Sequence, residues 1–368
     1  MMRPFGIARP IALTVFVALI ASAPGTRAES PLPSPACPQA TLDRLLSPAT
    51  ADDKTITLSC SITLPPDAVV TRQIVFAGKA ASNAVFDCAG AMLDGAPGRI
   101  NAGKDMIVIR SLGKTPEEMA LNRPTAITVR QCRIQGSVRI YGLGPNGEAE
   151  MVRISSHEPG HTERAQAAAP TDIRLEHLTF LPQGRIPLYV GPGTTNVMLD
   201  DSRFEGRIDK GVAIYLDAES AGIIVRNTVF ATTTASREQI ALDGSANNHI
   251  TGNRFTNADH GGIFLYRNCG EGGTVRHQTP HGNRIEENRL EFHKATASAI
   301  WLGSRSGPGG LRSYCEDDRG YPFGSSIDNR DNANNNIVKD NVIAGRAASN
   351  PIVDMGKDNI LSGNRSDN

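Results

Sequence analysis

Aromatic side chains are scarce in this chain of 368 residues, at 5% with a single tryptophan. Neither sign of charge is in excess, because 38 Lys and Arg balance 38 Asp and Glu. No global basic field is therefore available to attract nucleic acid. A membrane-length hydrophobic run is also lacking: Ile11–Ala21 falls well short of the roughly 20 residues that a spanning helix takes. No CxxC pair occurs, so a zinc or thioredoxin-type reading of the cysteines has no support. Chain breakers, by contrast, are plentiful. The 36 Gly and 23 Pro disfavour a helical bundle or coiled coil, and 39% apolar with 21% charged residues excludes bulk disorder.

Residues 1–28 read as a signal peptide. Arg3 and Arg9 precede the hydrophobic run, and Thr26-Arg27-Ala28 supplies small residues for a cut after Ala28. Cleavage removes three arginines, leaving 35 basic against 38 acidic residues and a faintly acidic mature protein. The expected location is periplasmic or secreted, with no membrane span and a monomeric state. In an oxidising compartment the six cysteines read as disulfides.

A hexapeptide recurs through the body of the chain: apolar, two polar, a small or amide residue, a variable one, apolar. It appears as VRQCRI (129–134), LEHLTF (175–180), LDDSRF (199–204), VRNTVF (225–230), ITGNRF (250–255), IEENRL (285–290), VKDNVI (338–343) and, without its last apolar residue, LSGNRS (361–366). Successive copies are 46, 24, 26, 25, 35, 53 and 23 residues apart, a basal period near 24 with insertions. Between them lie PLYV (187–190), AIYLD (213–217), IALD (240–243), IFLY (263–266) and AIWLG (299–303), whose alternation reads as strand. Asn253, Asn288, Asn341 and Asn364 recur in register, as do Asn248, Asn283, Asn336 and Asn359, which suits ladders between stacked coils.

On these repeats the sequence resembles the right-handed parallel β-helix superfamily that holds pectate lyases, polygalacturonases, and alginate lyases and epimerases. The resemblance spans about Ala84–Asn364. The expected fold is all-β, a single-stranded right-handed parallel β-helix of roughly nine to ten coils. Residues 29–83 are expected to form an N-terminal cap and 84–368 the helix, with inserted loops at 141–170, 267–282 and 304–333. Cys88 and Cys132 hold equivalent places in what read as neighbouring coils, Cys37–Cys60 would close the cap, and Cys269–Cys315 would tie the two later loops.

Insertions on one face of a solenoid mark its binding surface, and these loops are rich in Arg, His, Tyr and Asp. If Leu188, Ile214, Ile240, Ile263 and Ile300 point inward, then Tyr189, Tyr215, Ala241, Phe264 and Trp301 form an outward row with Asp217 and Asp243 beside it. Such a row suits a polysaccharide partner, rings stacking on sugar faces, unless the insertions fold over it as local core.

The resemblance implies β-elimination or C5-epimerisation of a uronate glycan. Either reaction neutralises the C5 carboxylate and removes the C5 proton. Arg267, Arg305 or Arg330 are candidates for the carboxylate, Arg267 first. Tyr266 and His277, with His260 in reserve, are candidates for proton transfer. Some relatives use calcium, for which Asp317, Asp318, Asp328 and Asp331 are the acids at hand, although their spacing matches no EF-hand. Two alternatives stay open: a glycoside hydrolase using Asp217 and Asp243, or a non-catalytic glycan-binding or envelope scaffold. The polygalacturonase pattern departs here, since Asp259-His260-Gly261-Gly262 only faintly echoes its GHG element and RIK is missing.

Overall fold

The computed structural model describes residues 34–305 and 318–367, all within the unit Leu32–Asn368. The signal-peptide segment lies outside the described residues. Three parallel sheets of ten strands each wrap around one apolar core, as a right-handed parallel β-helix. Every coil contributes one strand to each sheet. The first sheet runs from Thr55–Thr57 to Ile352–Asp354, the second from Ile62–Thr63 to Ile360–Ser362, and the third from Val69–Val70 to Arg365–Asp367.

The hexapeptide is the corner between the second and third sheets. In its third place the backbone turns left-handed: Gln131, His177, Asp201, Asn227, Glu287 and Asp340 all have positive φ, as do Gly252 and Gly363. That conformation is costly for β-branched or bulky residues, which is why the place holds Gly or a polar side chain. The fourth place turns inward at the corner, and from Asn253 onward it carries an amide. Asn288 Oδ1 accepts from the N–H of Asn253 at 3.0 Å and from its Nδ2 at 2.9 Å. Asn341 serves Asn288 in the same way, and Asn364 serves Asn341. A second ladder, Asn248–Asn283–Asn336–Asn359, repeats the pattern at another corner. The sixth place points into the core, where Phe180, Phe204, Phe230 and Phe255 stack with centroids 4.4, 4.9 and 4.4 Å apart.

The helix begins earlier than Ala84. Thr55–Thr57 already pairs with Gln73–Ala77 in the first sheet, and Ile62–Thr63 with Val85–Asp87 in the second. These opening strands are only two or three residues long, too short for alternation to be read. The cap is thinner than expected: α1 (Gln39–Leu46) sends Leu45 into the end of the core. Cys37 is bonded to Cys60, and Cys88 to Cys132. The separation of 44 between the second pair is one coil, because α2 (Pro116–Leu121) is inserted between the strands Asp105–Arg110 and Thr128–Arg130. Cys269 is disulfide-bonded, while Cys315, its expected partner, lies outside the described residues. The insertion after Tyr141 folds into α3 (Glu150–Ser156) and α4 (His161–Ala168). No helix among the described residues is long and apolar enough to cross a membrane.

Candidate functional site

Four insertions leave the helix at one corner, between the first and second sheets. Three begin after Tyr141, Tyr266 and Leu302, and the one carrying α2 follows Arg110. The last was not among the loops that the sequence assigned to the binding face. The insertions interlock. Val275 N–H donates to Ser156 Oγ at 3.0 Å, and the Nε2–H groups of His277 and His157 donate to the carbonyls of Ser156 and Gly273, each at 2.8 Å. Tyr321 stacks on His157 at 4.4 Å.

Parallel pairing sets Tyr189, Tyr215, Ala241, Phe264 and Trp301 in one row across the first sheet. They face away from the core, yet the row is not an open aromatic strip. Tyr189 and Ala241 are buried: Tyr189 stacks on Tyr215 at 5.6 Å under the Arg139 guanidinium, 3.9 Å from its ring centroid, and Ala241 packs with Val212 and Tyr266. Only Tyr215, Phe264 and Trp301 remain partly exposed. Asp217 and Asp243 are buried as well. Asp217 accepts from the Tyr189 hydroxyl and lies 3.7 Å from the buried Arg276 guanidinium. Asp243 accepts from Tyr215 O–H at 2.6 Å and from Asn268 N–H and Nδ2 at 2.7 and 2.8 Å. Burial pushes the Asp243 carboxyl up, helped by the charge of Asp217 and opposed by Arg276. With their oxygens spent on protein donors, these two acids do not present the substrate-facing pair that a hydrolase needs.

A cleft of about 350 Å³ opens beside them, lined by Tyr215, Arg237, Glu238, Phe264, Tyr266, Asn268, Glu271, Trp301 and Arg305. Tyr266 forms part of its wall. Arg237 Nη2 donates to the Tyr266 oxygen at 2.7 Å, and the phenol donates to Glu238 Oε1 at 3.1 Å. Arg237 also pairs with Glu238 at 2.8 Å. Burial and the Glu238 charge raise the phenol well above its usual range, against the pull of Arg237, so it is protonated at neutral pH. Arg305 lies over the rings of Tyr266 and Trp301 at 5.2 and 5.1 Å, held by Asp331 through bonds of 2.7 and 2.9 Å.

Several expected residues lie elsewhere. Arg267 is buried, and its guanidinium donates to the carbonyls of Arg330, Arg276 and Asp328. A guanidinium so engaged holds two loop segments together and cannot also reach a substrate carboxylate. His277 and His260 do not line the cleft: the first is tied to Ser156, the second to Thr296 at 2.7 Å. Arg330 is exposed and contributes its carbonyl to Arg267.

Arg237, Glu238, Asn268 and Glu271 were missed as site residues. The signal for the first two was available, since register sets Ile240 against Ile263 and so places Arg237 and Glu238 one coil before His260 and Gly261. Gly261, at φ +115°, is required there, because a Cβ would meet the Phe264 ring at 2.5 Å.

The donor set does not fit the calcium reading. Asp331 spends both oxygens on Arg305 and one also on the Arg267 N–H. Asp318 accepts from Ser325 and Asp328 from Asn332, while Asp317 lies outside the described residues. No group of three or more His, Cys, Asp or Glu side chains among the described residues is placed to hold a metal.

A family profile described as "Right handed beta helix region" matches residues 120–309, just over half of the chain. No curated protein sequence matches it. Among solved structures, it is similar to the A-module of the Azotobacter vinelandii mannuronan C-5 epimerase AlgE6, at 11% identity over 84% of this chain and 81% of that one, TM-score 0.41. The Streptococcus pneumoniae surface protein and adhesin PfbA matches at 11% identity over 89% and 91%, TM-score 0.38. The endo-xylogalacturonan hydrolase of Aspergillus tubingensis matches at 10% over 85% and 84%, TM-score 0.32.

Proposed function

The chain belongs to the right-handed beta helix family, and within that fold we propose that its cleft binds an acidic, uronate-containing glycan and moves the C5 proton, as a lyase or C5-epimerase. One observation carries this reading. The Tyr266 oxygen sits between a guanidinium donor and a carboxylate acceptor on the wall of the cleft. As that oxygen takes a proton from C5, its own proton passes to Glu238, and Arg237 steadies the negative charge that develops. Phe264 and Trp301 offer flat apolar faces to sugar rings, and Arg305 faces the cleft as the cation for the uronate carboxylate. The Cys37–Cys60 and Cys88–Cys132 bonds support a periplasmic or secreted setting.

The test is a panel of acidic and neutral polysaccharides, followed by ultraviolet absorbance of unsaturated uronate, by C5 proton exchange and by new reducing ends. Tyr266→Phe should lower kcat on the acidic substrate by about 10²-fold or more, with glycan binding and the thermal transition retained. Reducing ends released without unsaturated uronate, or turnover that survives Tyr266→Phe, would sink the assignment.

A further inference from the structure

Asn268 follows Tyr266 by two residues, lines the same cleft and is only partly buried. Proton transfer through Tyr266 gives it no part. Yet one carboxylate holds it at two points. Asp243 Oδ1 accepts from the Asn268 backbone N–H at 2.7 Å, and Asp243 Oδ2 accepts from its Nδ2 at 2.8 Å. Nδ2 also donates to the Tyr215 oxygen at 3.3 Å, while Tyr215 O–H donates to Asp243 Oδ2 at 2.6 Å. Burial and the Asp243 charge raise the Tyr215 phenol well above its usual range, so this donor keeps its proton.

These bonds decide which way the amide faces. A side-chain amide has two hydrogens on nitrogen and an oxygen that only accepts. Turned over, Asn268 would set Oδ1 against a carboxylate oxygen, acceptor against acceptor. Nδ2 is therefore the atom turned toward Asp243, which is wholly buried. With both Nδ2 hydrogens engaged, Oδ1 is the polar atom left over. Among the described residues nothing donates to it, and it is not one of their buried atoms without a partner. It is open to the cleft that Asn268 lines.

We infer that Asn268 is a specificity-determining residue: its Oδ1 accepts a hydrogen bond from a free hydroxyl of the bound uronate glycan, so the cleft selects chains that are unsubstituted at that hydroxyl. This rests on the glycan reading of the cleft. A neutral carbonyl oxygen accepts from a hydroxyl and has nothing to offer a carboxylate or an ester oxygen. An O-acetyl or O-methyl group at that place brings no hydrogen, and it leaves Oδ1 stripped of water without a partner. Asp243 and Tyr215 fix the amide before a ligand arrives, so little side-chain freedom is lost on binding.

The experiment takes uronate oligosaccharides of the kind that the polysaccharide panel identifies, with one hydroxyl at a time replaced by hydrogen. Wild type, Asn268→Ala and Tyr266→Phe are assayed on the parent and on each monodeoxy compound. For wild type, one monodeoxy compound should show a kcat/KM lower by about 10- to 100-fold. Asn268→Ala should lose a similar factor on the parent and nothing further on that compound, because the bond it would break is already gone. Losses that multiply in the doubly altered pair would assign the hydroxyl to another residue and overturn the contact. Wild type treating every monodeoxy compound like the parent overturns it with no variant at all, whether or not Asn268→Ala folds. If Tyr266→Phe is inactive while no hydroxyl depends on Asn268, the proton-transfer reading stands and only the hydroxyl contact falls. If wild type turns over no uronate glycan, both fall together.

Discussion

Arg267 directly follows Tyr266 in sequence, yet only Tyr266 reaches the cleft, because the backbone turns at the strand end and carries the arginine under the loops. Arg267→Ala should therefore act on stability before activity. It strips donors from the carbonyls of residues 276, 328 and 330, of which the bond at 276 is buried, where an orphaned group costs about 1–3 kcal/mol, and it removes a buried side chain as well. Chemical denaturation should show a loss of about 3 kcal/mol or more, and a variant as stable as wild type would restore Arg267 to the ligand candidates. Glu271 makes a prediction with a pH sign. Its carboxyl binds a proton more tightly when folded than when unfolded, so its stabilising contribution is complete below the unfolded value of about 4.3 and fades as pH rises above it. The Tm of Glu271→Gln relative to wild type should accordingly climb between pH 4 and pH 7. A difference that is flat across that range would contradict the raised affinity.

At the scale of elements, the corners hold the coils in register. Asn288 is buried; it accepts two bonds from Asn253 and donates to the carbonyl of Ile250 at 2.9 Å and to Asn341 Oδ1 at 3.0 Å. Asn288→Ala leaves a buried N–H and a buried carbonyl without partners, a cost of about 2–4 kcal/mol. Asn364, at the last corner, is only partly buried and receives bonds from one side, so Asn364→Ala should cost less. Urea denaturation of the two variants checks the order. Equal losses would mean that the ladder does not act through burial. The hexapeptide made these corners readable because left-handed backbone, inward amide and core Phe each restrict residue choice at a fixed place.

Over the whole molecule, each coil touches mainly its neighbours, so stability accumulates along the axis rather than around one centre. The two disulfides between described partners lie in the first coils, closing separations of 23 and 44 residues. Chain entropy assigns each about 3–4 kcal/mol. In Cys88→Ser/Cys132→Ser, hydrogen exchange should accelerate first in the opening coils and leave the Asn ladders protected. Uniform acceleration along the chain would show that the solenoid unfolds as a single cooperative unit.

The coil, its period and its two amide ladders follow from sequence alone, because a solenoid repeats one local geometry and writes the same residues at each repeat. Cys88 and Cys132 could be paired on that basis, since equivalent places in stacked coils lie one strand spacing apart. The cleft could not be read in this way. Register places Arg237 and Glu238 in the turn before Ile240, but Glu271 sits in an insertion that obeys no repeat, and the roles of all three depend on which loop covers which strand. Tyr189 and Tyr215 share one row of the first sheet and Tyr266 lies two residues beyond that row, opposite Asp243, yet Tyr189 is buried while the other two line the cleft. Burial of that kind is a property of the packed chain: it turned Asp217 and Asp243 into buried hydrogen-bond acceptors, Arg267 into a tie between loops, and left Tyr266 with a donor on one side and an acceptor on the other.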